Sequence, residues 1–166
     1  MLRRICREMT GLEEADICRL EALEQQLPLM AELTGSDVFL DCVTPGGEAV
    51  VVAQARPSQG VSVYQQDIRG QLARQADEPA GYPALEMQVP ARDIRAVTQE
   101  NRIVRQDVVP VPGAGGRCIA ALIREKDISG AVRQEQKYEE LARSHEQGNS
   151  PLCPPPTGED ETVLMR

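Results

Sequence analysis

His145 is the single histidine among 166 residues, so any imidazole chemistry must pass through one side chain. A Ser–His or Cys–His couple, or a metal site using imidazole, would depend on it alone. The simpler reading continues the helical stripe Tyr138, Leu141, Ala142 and makes His145 a solvated helix residue. Gly113-Ala-Gly-Gly116 has the composition of a phosphate loop, but no Lys-Ser or Lys-Thr follows, and both neighbours read as strands. A phosphate loop needs that lysine and hydroxyl at a strand-to-helix junction, so the stretch reads as a hairpin turn.

Acid pairs are the other candidate chemistry. Asp37, Asp41 and Glu48 are close in sequence, as are Asp77-Glu78 and Glu159-Asp-Glu161. Paired carboxylates without a nucleophile or base are weak grounds for acid/base work, and these read as surface charges. Five cysteines, Cys6, Cys18, Cys42, Cys118 and Cys153, form no CxxC pair. An odd number of scattered thiols argues against a disulfide framework or a zinc site and fits a reducing, cytoplasmic setting. Free cysteine mostly packs as a small apolar residue. No catalytic residues are assigned, and an enzyme is the least supported class.

Composition narrows the partners. The net charge is −8, which excludes the basic face that nucleic acid requires and disfavours an anionic membrane surface. No apolar run approaches the length of a membrane span, and the basic Met1-Leu-Arg-Arg4 is not followed by the apolar core of a secretory signal. Aromatics make up 2% of the chain, with one Phe and no Trp, while 41% is hydrophobic. The core must come from aliphatic residues.

The elements that must position any site follow from periodicity. Thr10-Gly-Leu-Glu13 has the spacing of a capping box. Leu12, Ile17, Leu20, Leu23, Leu27, Met30 and Leu33 then form one apolar helix face, kinked or broken at Pro28 and closed by Gly35. Ser36 to Pro57 reads as a long β-hairpin: Val38, Leu40 and Cys42 alternate with Asp37, Phe39 and Asp41, Pro45-Gly46-Gly47 turns, and Val50 to Ala53 resume. Residues 58–90 read as an irregular crossover, with short helices over Gln65–Arg74, capped by Asp67, and Glu78–Met87. Strands return from Pro90: one carrying Ile94, Ala96 and Thr98, a turn at Glu100-Asn101, a second over Ile103–Val111 bent at Pro110, and a third over Arg117–Glu125, apolar enough to lie centrally. A charged helix with a thin apolar seam at Ile128, Ala131, Val132, Tyr138 and Leu141 suits a connector or dimer contact. Residues 148–158 form a Pro-rich linker.

Three segments carry a family resemblance: Val52-Ala-Gln-Ala-Arg-Pro57, Asp93 to Val111 (Asp-Ile-Arg-Ala-Val-Thr-Gln-Glu-Asn-Arg-Ile-Val-Arg-Gln-Asp-Val-Val-Pro-Val), and Ile123-Arg-Glu-Lys-Asp-Ile-Ser129. In order and spacing they resemble the N-terminal GAF-like sensor domain of soluble bacterial sensor histidine kinases, over roughly residues 1–145. Glu161-Thr-Val-Leu-Met-Arg166 is similar to the residues just before the phosphoacceptor-histidine box of such kinases. The box itself and the Asn- and Gly-rich ATP-binding motifs do not occur here, and Arg143-Ser-His145 lacks the basic, Asn-rich setting of that histidine.

The resemblance implies an α/β (α+β) fold, a GAF/PAS-like central antiparallel sheet flanked by N- and C-terminal helices. It divides the chain into a helical segment (1–35), a sensor core (36–128), a connector helix (129–147), the linker (148–158) and the start of a transmitter (159–166) that is otherwise missing. It implies a signal-input domain of a cytosolic two-component system, a homodimer, and a response regulator reached through the transmitter, many such regulators having an RNA-binding antiterminator output. It implies no cofactor in these residues, with ATP expected only for the transmitter. GAF-like domains take small molecules between one sheet face and the crossover, which here would gather Phe39, Gln54, Arg56 and Tyr64 near Met87 and Arg124. The competing reading pairs Arg56 and Arg124 with carboxylates such as Asp41 or Glu125. Haem would lack an axial His and would need Cys42 or Cys118. Two alternatives to a chemosensor stay open: a ligand-free dimerisation module, and a thiol redox sensor using Cys42 or Cys118.

Overall fold

The computed structural model describes residues 1–60, 62–73, 88–98 and 101–148. Expectations for Glu78–Met87, for residues 149–158 and for 159–166 lie outside them. The chain divides into two compact units, Met1–Val132 and Arg133–Arg166.

Three short helices open the chain. Helix α1 (Leu2–Met9) buries Leu2, Ile5 and Cys6, and α2 (Glu14–Glu24) buries Ile17 and Leu20. The spacings of three and four put each set on one face. Arg3 joins the two helices: its Nε donates to Glu21 Oε1 at 2.9 Å and its Nη1 to Glu14 Oε2 at 2.6 Å. The capping box expected at Thr10-Gly-Leu-Glu13 does not form. Thr10 instead ends α1, donating from both its N–H and its hydroxyl to the Cys6 carbonyl, and Glu13 precedes α2 without a side-chain cap. A separate first helix claims Thr10 before α2 can use it.

Pro28 breaks the helix rather than kinking it. Helix α3 (Leu27–Thr34) starts one residue earlier, where the missing N–H belongs to the first turn and is not needed. Gly35 ends α3 in the left-handed conformation, φ 58°, as its C-cap position requires.

The sheet contains β1 (Asp37–Val43), β2 (Ala49–Ala55), β3 (Leu72–Ala73), β4 (Ala91–Val97), β5 (Ile103–Pro112) and β6 (Cys118–Asp127). Among the described residues its order is β3-β2-β1-β6-β5-β4, and every neighbouring pair is antiparallel. The apolar Arg117–Glu125 run is central, as its composition predicts: β6 lies between β1 and β5. The first hairpin turns at Thr44–Glu48, with Gly47 at φ 86°. The Gly113–Gly116 segment is a hairpin turn, Gly113 N–H donating to the Arg117 carbonyl at 2.8 Å. The helix expected over Gln65–Arg74 is absent from its described part: Asp67 accepts the Arg69 N–H at 3.0 Å in a tight Asx turn, a side-chain alternative to helical bonding, and Leu72–Ala73 adds to the edge of β2.

Two cores flank the sheet. The larger lies under the helices, where Leu2, Ile17, Leu20 and Leu27 meet Val38, Leu40, Val50 and Val52. Each such fully buried aliphatic side chain contributes about 1.5–3 kcal/mol. The smaller lies on the other face, where Phe39, Val51, Val108, Ala121 and Ile123 pack with Tyr64 and Ile68 of the crossover. A register shift opposite Leu40/Asp41 lets β2 present Val52 and Ala53 to the helix side while Val51 and Gln54 keep the other, the usual effect of a bulge. Helix α4 (Ser129–Gln147) follows β6; Asp127 Oδ1 accepts the Ser129 N–H at 2.8 Å.

Candidate ligand-binding site

On β1, Asp37, Phe39 and Asp41 share the face turned to the crossover, and all three are buried. Alternation along β1 therefore separates two cores, not inside from outside. The expectation that Asp37 and Asp41 are surface charges is corrected: both faces of this strand are covered.

Phe39 sits at the centre of that face. Its register partners are Gln54 on β2 and Ile123 on β6, and the Tyr64 ring meets it edge-on at 5.4 Å between centroids. Two of the expected pocket residues thus touch, and a third is the cross-strand neighbour. Gln54 Oε1 accepts the Ile68 N–H at 3.0 Å, while its Nε2 is buried without a partner. Arg56 closes the strand end, donating to the carbonyls of Gln65 and Gln66 and not to a carboxylate.

Arg124 does not belong to the group. It alternates with Ile123, so it faces away from Phe39 toward the helix side, and its guanidinium pairs with Asp107 of β5. Neither Asp41 nor Glu125 is its partner. Met87 lies outside the described residues.

The polar groups the face does collect are Asp37, Glu125 and Gln106, which form one row across β1, β6 and β5, with Asp41 further along β1. Asp37 is well satisfied: the Ser62 hydroxyl lies 3.0 Å from both its oxygens, and the Val63 N–H donates to Oδ2. Burial nevertheless raises its carboxyl above the ordinary value, against those bonds. Gln106 Nε2 donates to Glu125 Oε1 at 2.6 Å. Burial pushes Glu125 up to about 7, opposed by hydrogen bonds from Gln106 and Tyr64 and reinforced by Asp37. Asp41 is pushed up to about 7 by burial first and by the charge of Glu125 second. Asp41 Oδ1, Gln106 Oε1 and Glu125 Oε2 have no hydrogen-bond partner.

Sequence reasoning passed over Gln106, and took Asp41 and Glu125 only as surface charge or as partners of Arg56 and Arg124. Their signal is phase: each lies an even number of residues from an apolar residue of the crossover-side core, Asp41 from Phe39, Gln106 from Val108, and Glu125 from Ile123.

The described thiols differ: contact with Cys42 lowers Cys6. Burial raises the Cys118 thiol, and contact with Cys6 together with burial raises Cys42. Raised thiols are poor nucleophiles, which removes support from the redox alternative at those two residues. Among the described residues no cluster of His, Cys, Asp or Glu suits a metal ion, and no helix is long and apolar enough to cross a membrane. His145 is exposed on α4.

The family model described as "Histidine kinase PdtaS, GAF domain" covers residues 2–145. The chain belongs to this family. It is the GAF sensor domain of a histidine kinase, and its mixed α/β architecture is that of GAF/PAS-like sensors. Among solved structures this GAF domain is similar to the sensor region of a sensor histidine kinase, with TM-score 0.58 and 23% identity over 75% of this chain and 41% of the other. The chain therefore spans less than half of that protein. A weaker likeness, TM-score 0.48 and 15% identity over 68% of this chain and 62% of the other, is to an IclR transcriptional regulator from Silicibacter sp. TM1040. No curated protein matches the sequence.

Proposed function

We propose that this GAF domain is the signal-input module of a cytosolic two-component sensor histidine kinase. It takes up a small-molecule cue against the crossover-side face of the sheet, and occupancy governs autophosphorylation of a transmitter carried elsewhere in the protein. The observation behind this reading is the set of unpartnered polar atoms on Asp41, Gln54, Gln106 and Glu125 around Phe39 and Tyr64. A face that served only for packing would carry aliphatic side chains there, because buried polar groups without partners are destabilising.

The path to an output is short. Glu125 stands two residues before Asp127, which caps the first turn of α4 and pairs with Arg102. Ser129 in turn joins the start of β5, its hydroxyl accepting the Ile103 N–H at 2.9 Å. A cue that repacks the face shifts β6 against β5 and so the root of α4, a two-state bias of the kind sensor domains use. Tyr138 and Leu141, 64% and 49% exposed on α4, supply a seam for a homodimer. The response regulator is reached through the transmitter, which also binds ATP; the domain itself uses no cofactor.

The test is a thermal-shift screen of the chain against metabolites, nucleotides and amines, with Asp41→Asn as the site reporter. Binding to the folded state raises stability by about 2.7 kcal/mol at a hundredfold excess over Kd. A stabilising compound whose effect disappears in Asp41→Asn supports the reading. A flat screen with a concentration-dependent melting temperature supports a ligand-free dimerisation module instead.

A further inference from the structure

Two buried carboxylates face each other across β1 and β6. Asp37 is the register partner of Glu125, each is 1% exposed, and side chains directly opposite on neighbouring strands stand about 5 Å apart at Cβ. Each also holds the crossover. Asp37 accepts the Ser62 hydroxyl and the Val63 N–H, and Glu125 accepts from Tyr64. The apolar packing of this stretch is thin: Val63 rests on Ala96 and Val104, and Tyr64 on Phe39. The same stretch reaches the root of α4. Arg102 Nη1 donates to the Ser62 carbonyl at 3.3 Å and to Asp127 Oδ2 at 3.4 Å, and Asp127 Oδ1 accepts the Ser129 N–H.

We propose that Ser62–Tyr64 is a proton-dependent strap, docked on the sheet while the Asp37–Glu125 couple holds one proton and lifted when both carboxylates ionise, with Arg102 relaying the change to Ser129. The proton belongs on Glu125. Hydrogen bonds from Ser62 and Val63 favour the charged form of Asp37, whereas Glu125 Oε2 has no partner. A second charge beside the first cannot stay dry, because like charges directly opposite repel and a buried unpaired carboxylate must reach water. Lifting the strap that touches both residues hydrates them. The other charged groups on this side are committed or of like sign. Asp41 on β1 adds to the repulsion, and Asp127 on β6 pairs with Arg102. Arg56, after β2, donates to the carbonyls of Gln65 and Gln66. Gln106 on β5 is neutral, and β4 sets the apolar Ile94 and Ala96 beside Gln106 and Val104. Burial raises Glu125 to about 7, so the strap is held below neutrality and released above it. Such a strap operates whether or not the face takes up a small molecule.

Hydrogen exchange of the 166-residue chain, resolved by amide and divided by the intrinsic rate at each pH, tests this between about pH 5.5 and about pH 8.5. Across that range Val63 and Ser129 are each expected to lose at least about tenfold more protection than Leu20 of the helix-side core. Glu125→Gln and Asp37→Asn each remove one charge and keep an acceptor, and both are expected to abolish the extra loss. Asp41→Asn is expected to leave it in place. Arg102→Met is expected to keep the loss at Val63 and remove it at Ser129. A circular-dichroism melt shows which variants fold, and either Glu125→Gln or Asp37→Asn suffices. Equal losses at Val63 and Leu20 would mean global destabilisation alone and would overturn the strap. So would an extra loss that survives in Glu125→Gln or Asp37→Asn, or one that disappears in Asp41→Asn. Ser129 still following Val63 in Arg102→Met would overturn the relay through Arg102.

Discussion

Gln106 Nε2 donates to Glu125 Oε1 at 2.6 Å inside the sheet, where each side chain is only 1% exposed. The bond joins β5 to β6 and leaves one oxygen of each residue idle. Much of what the domain is expected to do follows from this pair.

Stability should fall as pH rises through neutrality. Glu125 and Asp41 are both raised to about 7 in the folded chain, so folding favours their protonated forms. That contribution is fully present below their ordinary values and is lost as pH climbs from about 4 to about 7. Groups lowered by salt bridges, such as Glu14 and Asp67, act in the opposite sense at lower pH. Urea unfolding should therefore show maximal stability in mildly acidic solution. Glu125→Gln should flatten the decline toward pH 8 by up to about 3 kcal/mol; an unchanged slope would count against the buried acid.

Phe39→Ala should destabilise by about 3–5 kcal/mol, as expected for removing a buried aromatic side chain. The ring is 3% exposed and also holds Tyr64 edge-on. Arg124→Ala should change stability by less than about 1 kcal/mol, since its partner lies at a partly exposed position. The two denaturation midpoints together report which sheet face carries the compact second core.

Gly113→Ala tests the tie between α2 and the β5–β6 turn. A Cβ there would stand 2.6 Å from Ile119 Cγ2 and 2.7 Å from Asp16 Oδ1, while Asp16 Oδ1 accepts the Ala114 N–H at 3.3 Å. Because Ile119 is core-packed, the neighbours cannot all yield. A loss of about 1–3 kcal/mol in thermal or urea unfolding is expected; a neutral substitution would mean the turn moves freely.

Thiol labelling separates the cysteines. Cys18 is exposed, whereas Cys6 and Cys42 are buried and in contact. A maleimide should modify Cys18 in the native chain and reach Cys6 and Cys42 only on unfolding. Fast native labelling of Cys42 would revive the redox alternative.

The sheet was legible in the sequence because its strands obey simple rules. Period-two runs broken by Pro45-Gly46-Gly47 and Gly113–Gly116 mark both hairpins, and the uninterrupted apolar run of β6 marks its central place. The helical segment was legible in outline only. Thr10 serves the end of α1, and a helix as short as Leu2–Met9 leaves little periodic signal. Of the residues expected at a pocket, Phe39, Gln54 and Tyr64 converge, whereas Arg124 lies on the other face, because Ile123-Arg124 is ambiguous until the register with β1 is known. Asp37 and Asp41 read as surface charges because a charge in a strand reads as solvated unless both faces of the sheet are known to be covered. Long-range covering, by helices on one side and the crossover on the other, is not a local property of β1.

Hydrogen exchange on the chain with and without its best screening compound tests the central claim most directly. The account predicts slowed exchange in β1 and β6 around Phe39 and Glu125, together with altered exchange in the first turn of α4 near Ser129. Binding that protects neither strand, or protects them while leaving that turn unchanged, would contradict a sensor whose sheet face drives the helix.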